Sequence, residues 1–208
     1  MADEPRTRSL GAVLFPGFEL LDLFGPLEMF GNLGKLVEVT AVAETAGPVR
    51  SAQGTSTVAE VAFAAAHQFD LLLIPGGWAT REEHKNPAML EFVKREADGA
   101  ELLMTVCTGT MIPAAAGLLD GHKATTNKMA FAEVAAAGPK VEWVKQARWV
   151  EDGKFVTASG VSAGIDMALA VVQRLWGQEL AERLATATEY DWHRDPSWDP
   201  FATVHGLA

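Results

Sequence analysis

Short apolar runs alternate with longer stretches of mixed apolar and polar residues along the whole chain. The short runs predict strands, because near-continuous apolar segments of this length are typical of strands buried on both faces of a parallel sheet. Such runs lie at 9–15, 37–42, 70–75, 101–106, 141–149 and 154–159, and residues 49–58 predict a hairpin or bent strand pair. The longer stretches predict helices at 27–33, 86–98, 111–119, 130–137, 162–176 and 178–187.

Several residues mark where these helices begin. Pro26 suits the first turn of the helix over 27–33, since proline lacks the N–H that a first turn leaves unpaired. Asn86 and Pro87 open the next helix, and Ser162 is a plausible N-cap for the long apolar helix that follows it.

The alternation of strands and helices predicts one α/β domain over residues 1–208, with a mostly parallel sheet covered by helices on both faces. The last stretch, 190–208, differs in character: it carries several aromatic residues and prolines among charged ones. It is too apolar for a disordered tail. We expect it to pack across its own domain or onto a second subunit.

Composition narrows the classes of function. Apolar residues make up 49% of the 208 residues and charged ones 21%, as in ordinary globular proteins, and every apolar run is interrupted before it reaches membrane-spanning length. A net charge of −10 argues against a nucleic-acid partner, which needs a basic face. The first eight residues mix charges and lack the pattern of a signal peptide, so we expect a cytoplasmic protein.

Cys107 is the only cysteine, which excludes an internal disulfide, and it stands where the apolar strand 101–106 gives way to Thr108-Gly109-Thr110. A sharp strand-to-helix turn leaves its corner residue projecting at the end of the sheet and directs free N–H groups at its side chain. This position predicts an accessible thiol with a lowered pKa. The alternative is a structural cysteine, since free cysteines are often simply buried.

Two further elements follow predicted strands, at the edge where open α/β sheets bind ligands. The N–H groups of Gly77 and Thr108 are candidates for an oxyanion hole, although Gly76-Gly77 also suits a plain tight turn. Asp22 lies inside an apolar stretch, where burial raises a carboxyl pKa. It either faces Cys107 as an acid/base or caps a helix near Gly25-Pro26.

The remaining polar residues indicate no other chemistry. None of the five histidines stands where the sequence marks a base for Cys107, and a hydrolytic cysteine usually needs one. No cluster has metal-ligand spacing and no glycine-rich phosphate loop is present, so we expect neither a metal nor a cofactor.

The motifs resemble those of the ThiJ/PfpI superfamily, in order, from about residue 9 to about residue 190. The matching segments are 21–26, 74–77, 106–109, 116–121, 124–126 and 162–166. The resemblance implies a flavodoxin-like three-layer α/β sandwich, commonly dimeric, with Cys107 on a nucleophile elbow and an acidic residue against its sulfur. It also implies oxyanion or substrate contacts from Gly77, Thr108 and Val161.

Within the superfamily the chain is most similar to the isocyanide hydratases, which share the aspartate of the Leu-Asp-Leu-x-Gly-Pro motif (here Asp22) and the Cys-Thr-Gly at Cys107. The protease-like branch has histidine where Thr108 stands. The chain departs from the hydratase pattern at Asn127-Lys128, where His-Trp is expected, and at Ser159, which replaces part of a glycine-rich stretch.

The resemblance implies that Cys107, Asp22 and Thr108 convert an isocyanide to an N-formamide through a covalent thioimidate. An isocyanide has an electrophilic terminal carbon and no leaving group, so a thiolate adds to it without a histidine-polarised carbonyl. Asp22 would then accept and donate protons in turn. The alternatives are a glyoxalase- or deglycase-like enzyme acting on small dicarbonyls and a non-enzymatic redox sensor based on Cys107. We expect a homodimer acting on a small molecule, with no membrane partner.

Overall fold

The computed structural model describes residues 6–208. Most of the residues from which we expect no signal peptide, 1–5, lie outside the described residues. No helix in the described range is long and apolar enough to cross a membrane.

Parallel strands form the centre of the molecule. The strands are β1 Arg8–Val13, β2 Val37–Ala43, β3 Gly47–Arg50, β4 Ser56–Ala59, β5 Val61–Ala62, β6 Leu71–Ile74, β7 Leu102–Val106, β8 Lys123–Ala124, β9 Glu142–Trp143, β10 Trp149–Asp152 and β11 Phe155–Ala158. Within residues 6–208, seven of them form one sheet in the order β10-β11-β7-β6-β1-β2-β5. Only the edge pair of this sheet, β10 and β11, is antiparallel. The carboxyl ends of β1, β6 and β7 therefore meet at one edge.

Helices cover both faces of this sheet. They are α1 Leu20–Gly31, α2 Thr80–Glu83, α3 Pro87–Gly99, α4 Met111–Ala115, α5 Phe131–Ala137, α6 Ala163–Trp176, α7 Gln178–Ala187 and α8 Pro200–Val204. Helix α6 packs against α1 and α7, whereas α4 packs against α2, α3 and α5. The strands β6 and β7 are wholly buried between these layers. The predicted mostly parallel, flavodoxin-like α/β fold is confirmed.

Helix α1 begins earlier than the sequence predicts. It starts at Leu20 and carries Pro26 in its interior. The prediction was wrong because it used proline as a start signal and overlooked Leu23, Met29 and Phe30, whose spacing keeps one apolar face buried across the proline. This earlier start places Asp22 in the first turn of the helix.

Two other predicted elements are shorter in the structure. Helix α4 ends at Ala115 rather than at 119, because Gly117 adopts a positive φ of 77° and turns the chain. The strand predicted over 141–149 is interrupted, since the exposed Lys145-Gln146 separates β9 from β10.

The C-terminal segment, 190–208, lies against the domain of its own chain. Trp192, Asp199 and Ala202 are buried there. The backbone N–H of Arg148 donates to the carbonyl of Pro196 at 2.7 Å. The segment ends in α8, which is capped by the carboxylate of Asp199.

Candidate active site

Cys107 occupies the sharp corner between β7 and a 3-10 turn that leads into α4. Its φ is +58°, a left-handed conformation that costs a residue with a side chain about 1–2 kcal/mol. Its neighbours hold this conformation: the N–H of Cys107 donates to the carbonyl of Ser159 at 2.8 Å. The hydroxyl of Thr126 donates to the carbonyl of Cys107 at 2.7 Å. The strained corner directs the side chain toward the end of the sheet, as the sequence predicts.

Helix α1 brings Asp22 to the same place. Its Oδ2 accepts a hydrogen bond from the N–H of Gly76 at 2.9 Å, and the residue is 0% exposed. Asp22 does not cap its helix. Its Oδ1 has no fully formed hydrogen bond within the described part of the chain, but the thiol of Cys107 lies close enough to affect the pKa of the carboxyl.

Gly76 is required for this packing. A Cβ at this position would come within 2.8 Å of Asp22 Oδ2, the Thr108 nitrogen and Thr108 Oγ1. Real Cβ atoms do not approach other atoms so closely, so any larger residue would push Asp22 and the elbow apart. The glycine turn after β6 therefore sets the distance between the carboxyl and the thiol.

Burial controls the charge of this pair. It raises the pKa of Asp22 from 3.8 to about 7, and the Gly76 N–H opposes the rise only in part. Burial also raises the pKa of the Cys107 thiol, and a charged Asp22 raises it further. The expectation of an accessible thiol with a lowered pKa is thus wrong, because Cys107 is only 7% exposed and faces a carboxylate. Asp22 is therefore the first of the two groups to ionise as the pH rises.

Two reciprocal hydrogen bonds join Thr108 and Gly77. The N–H of Gly77 donates to Thr108 Oγ1 at 3.0 Å, and the same hydroxyl donates back to the carbonyl of Gly77 at 3.0 Å. The N–H of Gly77 is therefore occupied, so this structure does not offer it to an oxyanion. The N–H of Thr108 instead hydrogen-bonds the sulfur of Cys107 and lowers the pKa of the thiol.

Asn127 is a site residue that the sequence did not indicate as one. Its side chain lies close enough to the Cys107 thiol to lower the thiol pKa. Its Oδ1 accepts from the N–H of Ala130 at 3.2 Å, so its Nδ2 is the atom left to interact with the sulfur. The signal that marks it is the departure from the hydratase pattern directly after Thr126.

A cavity of about 380 Å³ is lined by Asn127 and Ser159, two neighbours of Cys107, whereas Cys107 itself does not line it. Val161, the third residue predicted to contact substrate, lines it beside Leu21. Phe201 and His205 of the C-terminal segment also line it, and neither is predicted as a site residue from the sequence. None of the groups that shift the pKa of Cys107 is a histidine. Across residues 6–208 no set of side chains is arranged to hold a metal ion.

Residues 10–174 match the sequence profile of the DJ-1/PfpI family. The chain belongs to this family. The chain is similar to an isonitrile hydratase of Pseudomonas putida, which is 33% identical over 87% of this chain and 78% of its own length. A deglycase of Thermococcus kodakarensis is 29% identical over 68% of this chain and 84% of its own length.

Solved structures agree with this membership. A ThiJ/PfpI family protein from Pseudomonas syringae superposes with a TM-score of 0.83, at 31% identity, over 94% of this chain and 79% of that one. This chain therefore shares its fold with a solved ThiJ/PfpI protein.

Proposed function

We propose that this protein is an isonitrile (isocyanide) hydratase-like enzyme that adds water to an isocyanide and releases an N-formamide. The observation that carries the proposal is the buried Asp22–Cys107 pair, which can exchange a proton without help from a histidine. The similarity to an isonitrile hydratase over most of the chain supports the same chemistry.

The first step adds the thiol to the isocyanide carbon. Asp22 takes the proton of the Cys107 thiol as sulfur attacks, because its pKa of about 7 leaves much of it ionised near neutral pH. The N–H of Thr108 and the side chain of Asn127 stabilise the charge that develops on sulfur. A carbon–sulfur bond forms, Asp22 returns the proton to the carbon, and the product is a thioimidate with an N=CH–S linkage.

The second step hydrolyses the thioimidate. Asp22 takes a proton from a water molecule that attacks the same carbon and passes it to the nitrogen, which leaves a tetrahedral carbon bearing N–H, O–H and sulfur. As the carbon–sulfur bond breaks, the hydroxyl proton passes through Asp22 to sulfur, and the N-formamide leaves. The sum is one isocyanide plus one water, and the enzyme regains its single shared proton. No oxidant, reductant or metal is needed for this balance.

The buried thiol disfavours the redox-sensor alternative. Cysteines that sense oxidants combine a low pKa with solvent access, whereas burial raises the pKa of Cys107 and leaves it 7% exposed. A deglycase- or glyoxalase-like reaction would use the same thiol on a dicarbonyl. The product assay described next therefore compares a dicarbonyl with isocyanides as substrates.

The test is a product assay with purified protein. We expect n-butyl and benzyl isocyanide to yield the corresponding formamides, observed by NMR, with methylglyoxal turned over much more slowly. Cys107→Ala should abolish the reaction. Asp22→Asn should lower turnover by about 100-fold or more, the usual contribution of a positioned acid/base. Faster turnover of methylglyoxal than of either isocyanide, or unchanged isocyanide hydration in Cys107→Ala, would overturn the proposal.

A further inference from the structure

The C-terminal helix α8 borders the cavity lined by Asn127 and Ser159. Phe201 lies in α8 and His205 directly follows its last residue, with the N–H of His205 donating to the carbonyl of Phe201 at 3.0 Å, and both side chains line the cavity. Phe201 is 52% exposed, as expected for a residue at the rim rather than in the core. Leu21 and Val161 line the cavity on the side of the main domain.

Asp199 fixes α8 in this position. Its Oδ1 accepts from the N–H of Phe201 at 3.0 Å and so caps the helix. Its Oδ2 accepts from the hydroxyl of Ser159 at 2.7 Å and lies 3.3 Å from Nζ of Lys128. All three side chains are buried. Because Ser159 also accepts the N–H of Cys107 through its carbonyl, a single residue connects α8 with the elbow.

The two departures from the hydratase pattern thus meet at one carboxylate. Lys128 belongs to the pair that stands in place of His-Trp, and Ser159 replaces part of the glycine-rich stretch. Lys128 is held further by the hydroxyl of Thr125 at 2.6 Å and the carbonyl of Ala147 at 2.8 Å. These substitutions supply the partners that the buried Asp199 needs, since an unpaired buried charge is costly.

The cavity lining favours an uncharged, apolar substituent. Each of its two cationic residues already pairs with a buried carboxylate, Lys128 with Asp199 and Arg148 with Asp166. Their charges are therefore balanced within the protein and are not left over for a carboxylate or phosphate on a substrate. At about 380 Å³ the cavity is near the small end of ligand sites, which run from about 300 to 1,000 Å³.

We propose that α8 is a wall of the substrate cavity that selects an apolar alkyl or aryl substituent through Phe201 and His205. Asp199 is the positioning residue that holds this wall against Ser159 and Lys128. The identity of the reacting group as an isocyanide rests on the proposed function, whereas the selectivity of the wall does not.

The experiment measures alkylation of Cys107, the only cysteine, by intact mass at pH 9. The reagents are iodoacetamide, which is small, and N-benzyl iodoacetamide, which carries an apolar group, and the quantity compared is the ratio of their rate constants. Phe201→Ala should lower the benzyl-to-small ratio about tenfold, and His205→Ala by a smaller factor. Val204→Ala is the matched control, because Val204 is on the same helix, is exposed and does not line the cavity.

Asp199 is tested by loss and partial rescue. Asp199→Ala should lower the ratio as far as Phe201→Ala does, and Asp199→Asn should recover part of it because the amide oxygen of asparagine can still cap the helix. An unchanged ratio in both Phe201→Ala and His205→Ala would overturn the inference. The ratio is measured without an isocyanide, so a protein that shows this selectivity but hydrates no isocyanide would overturn the proposed function alone.

Discussion

Asp22→Asn is expected to make the protein more stable while it disables the chemistry. Asp22 is 0% exposed, and burial raises its pKa from 3.8 to about 7. A folded-state pKa above the unfolded value means that the folded protein holds the proton more tightly. Between these two pKa values, rising pH therefore costs stability, and this cost is complete above pH 7. Asparagine removes the charge and keeps an oxygen for the N–H of Gly76.

The size of the effect follows from the two pKa values. Their difference corresponds to about 4 kcal/mol of destabilisation well above pH 7 and to less than half of that at pH 5. The new amide N–H₂ replaces Oδ1, which has no full partner among the described residues, and offsets about 1–2 kcal/mol of the gain at every pH. The net gain is then about 2 kcal/mol at pH 8 and close to zero at pH 5.

The assay is urea unfolding of the wild type and the variant at pH 5 and pH 8. The gain in unfolding free energy should be about 2–3 kcal/mol larger at pH 8 than at pH 5. The cost of burying the new amide N–H₂ is the same at both pH values, so it does not affect this difference. Asp152→Asn is the matched control: the Lys123 N–H lowers the pKa of that half-buried carboxyl, so losing its charge should destabilise the protein rather than stabilise it. A gain independent of pH, or a variant less stable at pH 8 than at pH 5 relative to wild type, would refute the assignment of a buried, proton-holding Asp22.

Three further outcomes are expected. The kcat/KM for isocyanide should rise with pH and level off above about 7, because Asp22 must lose its proton to accept that of the thiol, and a flat profile between pH 5 and 9 would contradict this role. Iodoacetamide should alkylate Cys107 at pH 7 at least tenfold more slowly than a free thiol, because burial raises the thiol pKa. Rapid alkylation would instead show that Cys107 is a thiolate with a lowered pKa. Light scattering at micromolar concentration should give twice the mass of one chain, since Leu21, Phe24, Trp198 and Phe201 leave apolar surface exposed, and a monomer mass would remove that prediction.

Pattern alone was enough for the fold and for the position of Cys107 at a strand-to-helix corner. The alternation of short apolar runs with amphipathic stretches predicts the parallel sheet, and the break after Val106 predicts the corner at Cys107. The early start of α1 was missed because a local signal, Pro26, was given more weight than the apolar periodicity around it.

The electrostatics of the site could not be predicted from pattern. A strand-to-helix corner favours a thiolate only if the thiol is solvated and faces no negative charge, and both conditions depend on the long-range approach of Asp22. The same holds for Asn127 and for Asp199, whose partners are distant in sequence. The departures at Asn127-Lys128 and Ser159 were visible in the sequence, but their connection through the C-terminal segment required the fold.

The measurement that tests the central claim most directly is rapid-quench intact mass spectrometry of the protein with benzyl isocyanide. During turnover, wild type should carry one added isocyanide mass on Cys107, and the adduct should disappear as N-benzylformamide accumulates. In Asp22→Asn the adduct should form about 100-fold more slowly. Formamide production with no adduct at any quench time, together with undiminished activity in Cys107→Ser, would contradict covalent catalysis by the Asp22–Cys107 pair.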